Sequence, residues 1–155
     1  MGSGKSTVGG RVAELAGAPF CDLDAMIENE AGMTIREIFA TRSEAAFRAL
    51  ESNLLPDALK PGAVVALGGG TAVDESNWRL IRERAITVYL EVPFKTIWKR
   101  VGPTSNRPLA TGRSRSELES LLDERRPRYE QASHRVDADR RPDLIADEVL
   151  KLWSA

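Results

Sequence analysis

The chain has 155 residues, of which 42% are apolar and 29% charged, so it reads as one globular domain rather than a disordered chain. Its 22 basic and 23 acidic side chains leave a formal net charge of −1, which argues against a general polyanion binder. A lone cysteine, Cys21, and a lone histidine, His134, exclude an internal disulfide, a cysteine-built metal site and a multi-histidine site.

Short β-rich runs alternate with longer helical patterns, the mark of an α/β domain on a parallel sheet. Val8, Val12, Leu15 and Ala16 recur at i, i+4, i+7 and i+8 and predict a first helix over 4–16, closed by Gly17. Residues 18–21 predict a short strand leading into Asp22. A brief helix follows, with Asp24 as its cap and Gly32 as its stop. Thr34 and Glu37 form a capping box for another short helix. Ser43 caps a longer one that turns Phe47, Leu50, Leu54 and Ala58 inward. After the Pro61-Gly62 turn, residues 63–67 predict a buried strand running into Gly68, Gly69 and Gly70. A helix over 78–84 leads to a strand over 85–92, and Pro93 opens a helix striped by Phe94, Ile97, Trp98 and Val101.

Residues 102–115 are rich in Gly, Pro, Ser, Thr and Arg and lack period, and a loop of that length reads as a functional loop or lid rather than a simple connector. Ser114 and Glu117 then box a helix carrying Leu118, Leu121 and Leu122. A last strand is predicted over 133–136 and a closing helix over 143–153, with Leu144, Ile145, Val149 and Leu152 on one side. Trp78, Trp98 and Trp153 fall on amphipathic helices and read as core or partly covered surface. No apolar run approaches the ~20 residues needed to cross a bilayer, and no signal peptide precedes the first motif, so a reducing, cytosolic setting is the default.

Met1-Gly2-Ser3-Gly4-Lys5-Ser6-Thr7 has the form of the second half of a phosphate-binding loop. Glycines let backbone N–H groups converge on a phosphate, and the helix that follows presents its positive end. Lys5 supplies a point charge for the β- and γ-phosphates, and the Ser6 hydroxyl is a ligand for Mg²⁺. Asp22 and Asp24 stand at the end of a predicted strand, where open α/β sheets bind ligands. Two carboxylates there suit a Mg²⁺ site and the orientation of a hydroxyl, although for Asp24 alone a helix cap is the simpler role. Arg48 follows Phe47 on an apolar helix face, and Arg125 extends the stripe of Leu118 and Leu121, so both point to an interior or a cleft. Arginine is the side chain suited to a bidentate grip on a carboxylate. The three glycines at the strand end offer bare backbone for close ligand approach. Cys21 reads as packed and His134 as structural.

Over essentially its whole length the chain resembles the shikimate kinases, of the nucleoside-monophosphate-kinase-like group. The motifs are Gly2-Ser3-Gly4-Lys5-Ser6-Thr7, Asp22-Leu23-Asp24 with Ile27-Glu28, Phe47-Arg48 with Glu51, Leu67-Gly68-Gly69-Gly70, Arg107-Pro108-Leu109 and Arg125-Arg126-Pro127-Arg128-Tyr129, in this order and spacing. The resemblance implies a single three-layer P-loop kinase domain with a parallel sheet in the family order 2-3-1-4-5 and a mobile lid. It implies transfer of the ATP γ-phosphoryl group to the 3-hydroxyl of shikimate, on the route to chorismate and the aromatic amino acids. The enzyme would be a cytoplasmic monomer that binds ATP and shikimate and neither nucleic acid nor membrane.

By the same resemblance Asp24 would bind the reacting hydroxyl, and Asp22 would hold Mg²⁺ through water. Arg48, Arg125, Gly69 and Gly70 would hold shikimate, with the arginines on its carboxylate. Arg107 would reach the transferring phosphoryl group from the lid, and Arg100 and Arg141 would flank the adenine. Two alternatives stand beside it: a gluconate-kinase-like small-metabolite kinase, and a non-catalytic kinase-like binding module. The paired arginines and the triple glycine favour a carboxylated ring. Family members begin with a strand and a glycine ahead of the position of Met1. The resemblance therefore implies that the central first strand is absent from these residues, that the strands over 63–67 and 85–92 flank an empty slot, and that the chain as written is a poor kinase.

Overall fold

The structure, a computed structural model, describes residues 2–101 and 113–153. Helix α1 (Lys5–Ala16) opens from Gly4 and closes at Gly17, both left-handed, with φ of 86° and 62°. Then follow β1 (Phe20–Asp22), α2 (Leu23–Ala31), α3 (Ile35–Thr41), α4 (Glu44–Ala58) and β2 (Val64–Ala66). A single 3₁₀ turn (Thr71–Val73) leads to α5 (Glu75–Arg84), β3 (Val88–Glu91), α6 (Phe94–Val101), α7 (Arg115–Tyr129), β4 (His134–Asp137) and α8 (Pro142–Trp153).

The strands form two parallel pairs. In the first, β1 runs beside β2 with Phe20 opposite Val64 and Asp22 opposite Ala66. In the second, β3 runs beside β4 with Val88 opposite His134 and Glu91 opposite Asp137. The first register sets Asp22 level with the residue that leads into the glycines, so both lie at one carboxyl end. Among the described residues no strand joins β2 to β3. Between them lies an apolar groove of about 540 Å³, walled by both strands and by Val8 and Val12 of α1.

Helices cover both faces of the strands, giving three layers. Val64 packs with one core built on α1, α6, α7, α8 and β4, whose buried members include Val8, Val12, Ile97, Leu118, Val136 and Ile145. The next residue, Val65, packs with the other core, built on α2 to α5 through Leu23, Ile27, Ile38, Leu55, Trp78 and Ile81. Successive strand side chains point to opposite faces, so one dipeptide feeds both cores.

The capping signals are where the sequence places them. Thr34 with Glu37 and Ser114 with Glu117 form complete capping boxes, and Ser43 accepts from the Ala46 N–H. Two expectations are corrected and one is refined. Helix α2 is capped by Asp22, not Asp24, because the extended end of β1 lets the Asp22 carboxylate reach the N–H groups of Asp24 and Ala25. The most buried line of α4 is Phe47, Glu51, Leu55 and Ala58, with Leu50 and Leu54 half-buried against the same core. On α8 Ile145, Val149 and Leu152 face the core as expected and Ala146 joins them, but Leu144, about 100° round the helix from Ile145, is 52% exposed. Trp78 is core, Trp98 half-buried and Trp153 exposed.

Candidate active site

The phosphate-loop half of the site lies at the start of α1. Gly2 and Gly4 both have positive φ, a conformation that side chains other than glycine rarely adopt. Gly2 also passes close to α6, since a Cβ there would stand 2.9 Å from Val101 Cγ1. No side chain caps α1, so its leading N–H groups face the loop. Arg100 Nη1 at the end of α6 donates to the Gly2 carbonyl at 3.0 Å and ties that helix to the loop. Ser3, Lys5 and Ser6 are half-buried here, and Thr7 is exposed.

Ser6 Oγ donates to Asp22 Oδ2 at 2.5 Å. The other carboxylate oxygen, Oδ1, accepts from the backbone of Asp24 at 3.0 Å. Asp22 thus fastens the start of α1 to the start of α2. Ser6 Oγ and Asp22 Oδ2 are hard oxygen donors side by side, and among the described residues no group of three or more His, Cys, Asp or Glu forms a metal cluster. That sparse oxygen set fits Mg²⁺, which keeps several waters and takes its remaining ligands from substrate phosphates.

The second half of the site is built against the glycines after β2. A Cβ on Gly68 would meet Glu51 Oε1 at 2.8 Å, Thr71 Oγ1 at 3.0 Å and Asp24 Oδ1 at 3.2 Å. A Cβ on Gly70 would meet both terminal nitrogens of Arg48 at 2.5 Å. The bare backbone is therefore what lets Asp24 on α2 and Arg48 on α4 approach the same turn. Arg48 Nη1 donates to Glu51 Oε2 at 2.7 Å, and Thr71 Oγ1 donates to Glu51 Oε1 at 2.5 Å. Glu51 is only 1% exposed, so it is a buried anion satisfied on one oxygen by a cation and on the other by a hydroxyl. Arg125 on α7 is 8% exposed, as its place in the leucine stripe predicts. One turn on, Tyr129 donates its hydroxyl to the Gly69 carbonyl. Burial pushes the Tyr129 phenol above its ordinary pKa, while the charge of Arg125 pulls against that rise.

The structure thus brings Ser6, Asp22, Asp24, Arg48, Gly69, Gly70 and Arg125 to the carboxyl ends of β1 and β2, and Arg100 to the phosphate loop. Arg141 does not join them: its side chain is 80% exposed and pairs with Asp143 at 3.5 Å. Arg107 and most of the lid segment 102–115 lie outside the described residues. Glu51, Thr71 and Tyr129 carry no role in the sequence reading. Glu51 had a signal, an acid standing four residues from Phe47 and from Leu55 on the buried face of α4. Tyr129 had only its place in the motif that begins at Arg125, and Thr71 had none; the partners of the two are 60 and 20 residues away.

A family model described as shikimate kinase matches residues 1–153. The chain is 42% identical to a shikimate kinase of Salinibacter ruber over 166 aligned positions, covering 100% of this chain and 81% of that protein. It is 43% identical to a shikimate kinase of Rhizobium leguminosarum bv. trifolii, over 97% of this chain and 79% of that protein. Among solved structures, shikimate kinase from Acinetobacter baumannii in complex with shikimate superposes with a TM-score of 0.93 at 34% identity, over 99% of this chain and 88% of that one. Shikimate kinase from Aquifex aeolicus superposes with a TM-score of 0.88 at 33% identity, over 99% of this chain and 92% of that one.

Proposed function

This chain belongs to the shikimate kinase family, and from that premise we infer that the cluster beyond β1 and β2 transfers the γ-phosphoryl group of ATP to the 3-hydroxyl of shikimate. One observation carries the reading of the site: the Asp24 carboxylate and the Arg48 guanidinium meet the same three-glycine turn. A hydroxyl acceptor and a carboxylate clamp then face the same turn, beside the phosphate loop that Asp22 ties in place.

The roles follow from chemistry. Arg48 and the buried Arg125 grip the shikimate carboxylate, and the backbone of Gly69 and Gly70 closes against the ring. Asp24 accepts the hydrogen of the 3-hydroxyl and takes its proton as the oxygen–phosphorus bond forms and the bridge to the β-phosphate breaks. Residues Gly2 to Thr7 cradle the phosphates, with Lys5 on the β- and γ-oxygens. Ser6, and Asp22 through water, would hold the Mg²⁺ that neutralises phosphate charge. Arg107, outside the described residues, is assigned to the transferring phosphoryl group. Arg100 is assigned to the adenine side together with Arg141, whose exposure leaves it to be drawn in by nucleotide. ATP and shikimate are the ligands of a monomer working in the cytoplasm without nucleic acid or membrane. The formal net charge of −1 speaks against a nucleic-acid partner, and among the described residues no helix is long and apolar enough to cross a bilayer.

The test is ADP release with shikimate, gluconate or a nucleoside monophosphate as acceptor. Turnover with shikimate alone is expected. Turnover with gluconate and none with shikimate would overturn the assignment, and ligand binding without transfer would favour a binding module.

A further inference from the structure

We propose that Tyr129 is a positioning residue for the acceptor half of the site, holding Arg125 and the Gly69–Gly70 backbone in one fixed relation. The proposal rests on the assignment of Arg125, Gly69 and Gly70 to shikimate. Tyr129 is the last residue of α7, and its ring packs on Tyr89 of β3, with centroids 5.5 Å apart. Its hydroxyl reaches across to the Gly69 carbonyl, just past β2. A single side chain therefore bridges the two strand pairs, which share no backbone hydrogen bond among the described residues.

Arg125 stands four residues earlier on the same helix and on the same face. It is buried, yet among the described residues no carboxylate forms an ion pair with it. The Arg125 charge acts on the Tyr129 phenol, countering the rise in its pKa that burial causes. The hydroxyl hydrogen is committed to Gly69, so the oxygen lone pairs remain to receive an Arg125 N–H. Arg125 is thus aimed by a neutral group and keeps its charge for an incoming carboxylate. An anionic side chain in place of Tyr129 would consume that charge. Without any partner the long arginine would sample several rotamers and lose affinity when ordered by ligand.

Tyr129→Phe removes the hydroxyl and keeps the ring on Tyr89. In the ligand-free protein, hydrogen exchange should quicken about tenfold at the Thr71 and Val73 amides, which donate to Gly68 and Gly70. The melting temperature and the exchange of α1 should stay unchanged. In steady state the KM for shikimate should rise about tenfold, the loss of one hydrogen bond near a charge, with kcat and the KM for ATP within about twofold. In an Arg125→Lys background the same substitution should raise the KM by a smaller factor. An equal factor in both backgrounds, or unaltered exchange in the turn, overturns the proposal.

The protein has only two tyrosines, so a second readout needs no change at Tyr129. Arg125→Lys should shift the ζ-carbon NMR signal of Tyr129 and leave that of Tyr89 in place, and no shift overturns the Arg125 link. If the unaltered protein shows no turnover of shikimate, the functional reading fails, while the exchange and NMR measurements still decide on the tie.

Discussion

The proton-transfer role proposed for Asp24 fits the fold because a neighbour does the capping of α2. Asp22 caps α2, and the Asp24 carboxylate is turned to the glycine turn. Asp24→Asn should lower kcat by roughly 10²–10⁴-fold, the usual contribution of a positioned base. The KM for ATP, measured in the same assay, should stay near its starting value, and a near-normal kcat would remove Asp24 from the chemistry. Arg48→Ala and Arg125→Ala should each weaken shikimate binding by about 2–5 kcal/mol with little effect on ATP, as titration calorimetry would show. The two differ in their effect on the fold. Arg48→Ala strips the buried Glu51 of its cation, so it should also lower the melting temperature, whereas Arg125→Ala leaves no buried carboxylate unpaired among the described residues. Gly70→Ala separates position from charge. Gly70 has φ −98°, so alanine is tolerated by the backbone, but its methyl would displace the Arg48 guanidinium. The expected result is a KM for shikimate raised about tenfold or more, since a charge-assisted hydrogen bond is worth about 1.5–3 kcal/mol, with a melting temperature lowered in the same direction as for Arg48→Ala because the displaced guanidinium also leaves Glu51.

Helices α3 and α7 begin with the same device. The carboxyls of Glu37 and Glu117 lie below their ordinary range because the backbone N–H of Thr34 and of Ser114, followed by the side chains of those residues, hydrogen-bond to them. A folded-state pKa that is depressed contributes stability above the unfolded value and loses it as pH falls through the folded one. The first turns of α3 and α7 should therefore lose amide protection as pH drops below about 4, the ordinary carboxylate range, before the cores of the helices do. Exchange measured along the chain between neutral and acid pH tests this, and Glu37→Gln with Glu117→Gln should flatten that part of the profile. These boxes were legible in the sequence because a cap and its partner are three residues apart. The cap of α2 was misread for the opposite reason: whether Asp22 or Asp24 reaches the N–H groups depends on where β1 stops, and β1 stops where β2 stops pairing with it.

At the scale of the molecule the two cores lie on opposite faces of the strands, and a groove runs between β2 and β3. Each of these strands uses one edge in its own pair, and among the described residues none pairs with the other edge. Unpaired backbone groups cost about 1–3 kcal/mol each when buried, and several together approach the roughly 5–15 kcal/mol that holds a domain. An extended apolar segment of about ten residues, a usual upper strand length, fused ahead of Met1 should occupy the groove. It should raise the melting temperature by several degrees, at about 2–4 °C per kcal/mol for a chain of this size, and raise kcat/KM for shikimate with it, since Val8 and Val12 of α1, the helix that follows Gly2 to Lys5, line the same groove. Equal melting and equal turnover with and without the segment would show that the groove is no weakness.

By itself the sequence determined the elements, the two capping boxes and the kinase motifs, because each is written in a short stretch: a loop of glycines before a helix, a box three residues wide, a stripe repeating every turn. It also carried the burial of Arg125, since that arginine continues a line of leucines. Only the tertiary structure decided that Glu51 is a buried anion shared by Arg48 and Thr71, that Ala146 rather than Leu144 joins Ile145 on the inward face, and that Tyr129 closes on Gly69. Each of those outcomes depends on a second element arriving from elsewhere in the chain, and a hydrogen bond across 20 or 60 residues leaves no local period by which it can be read.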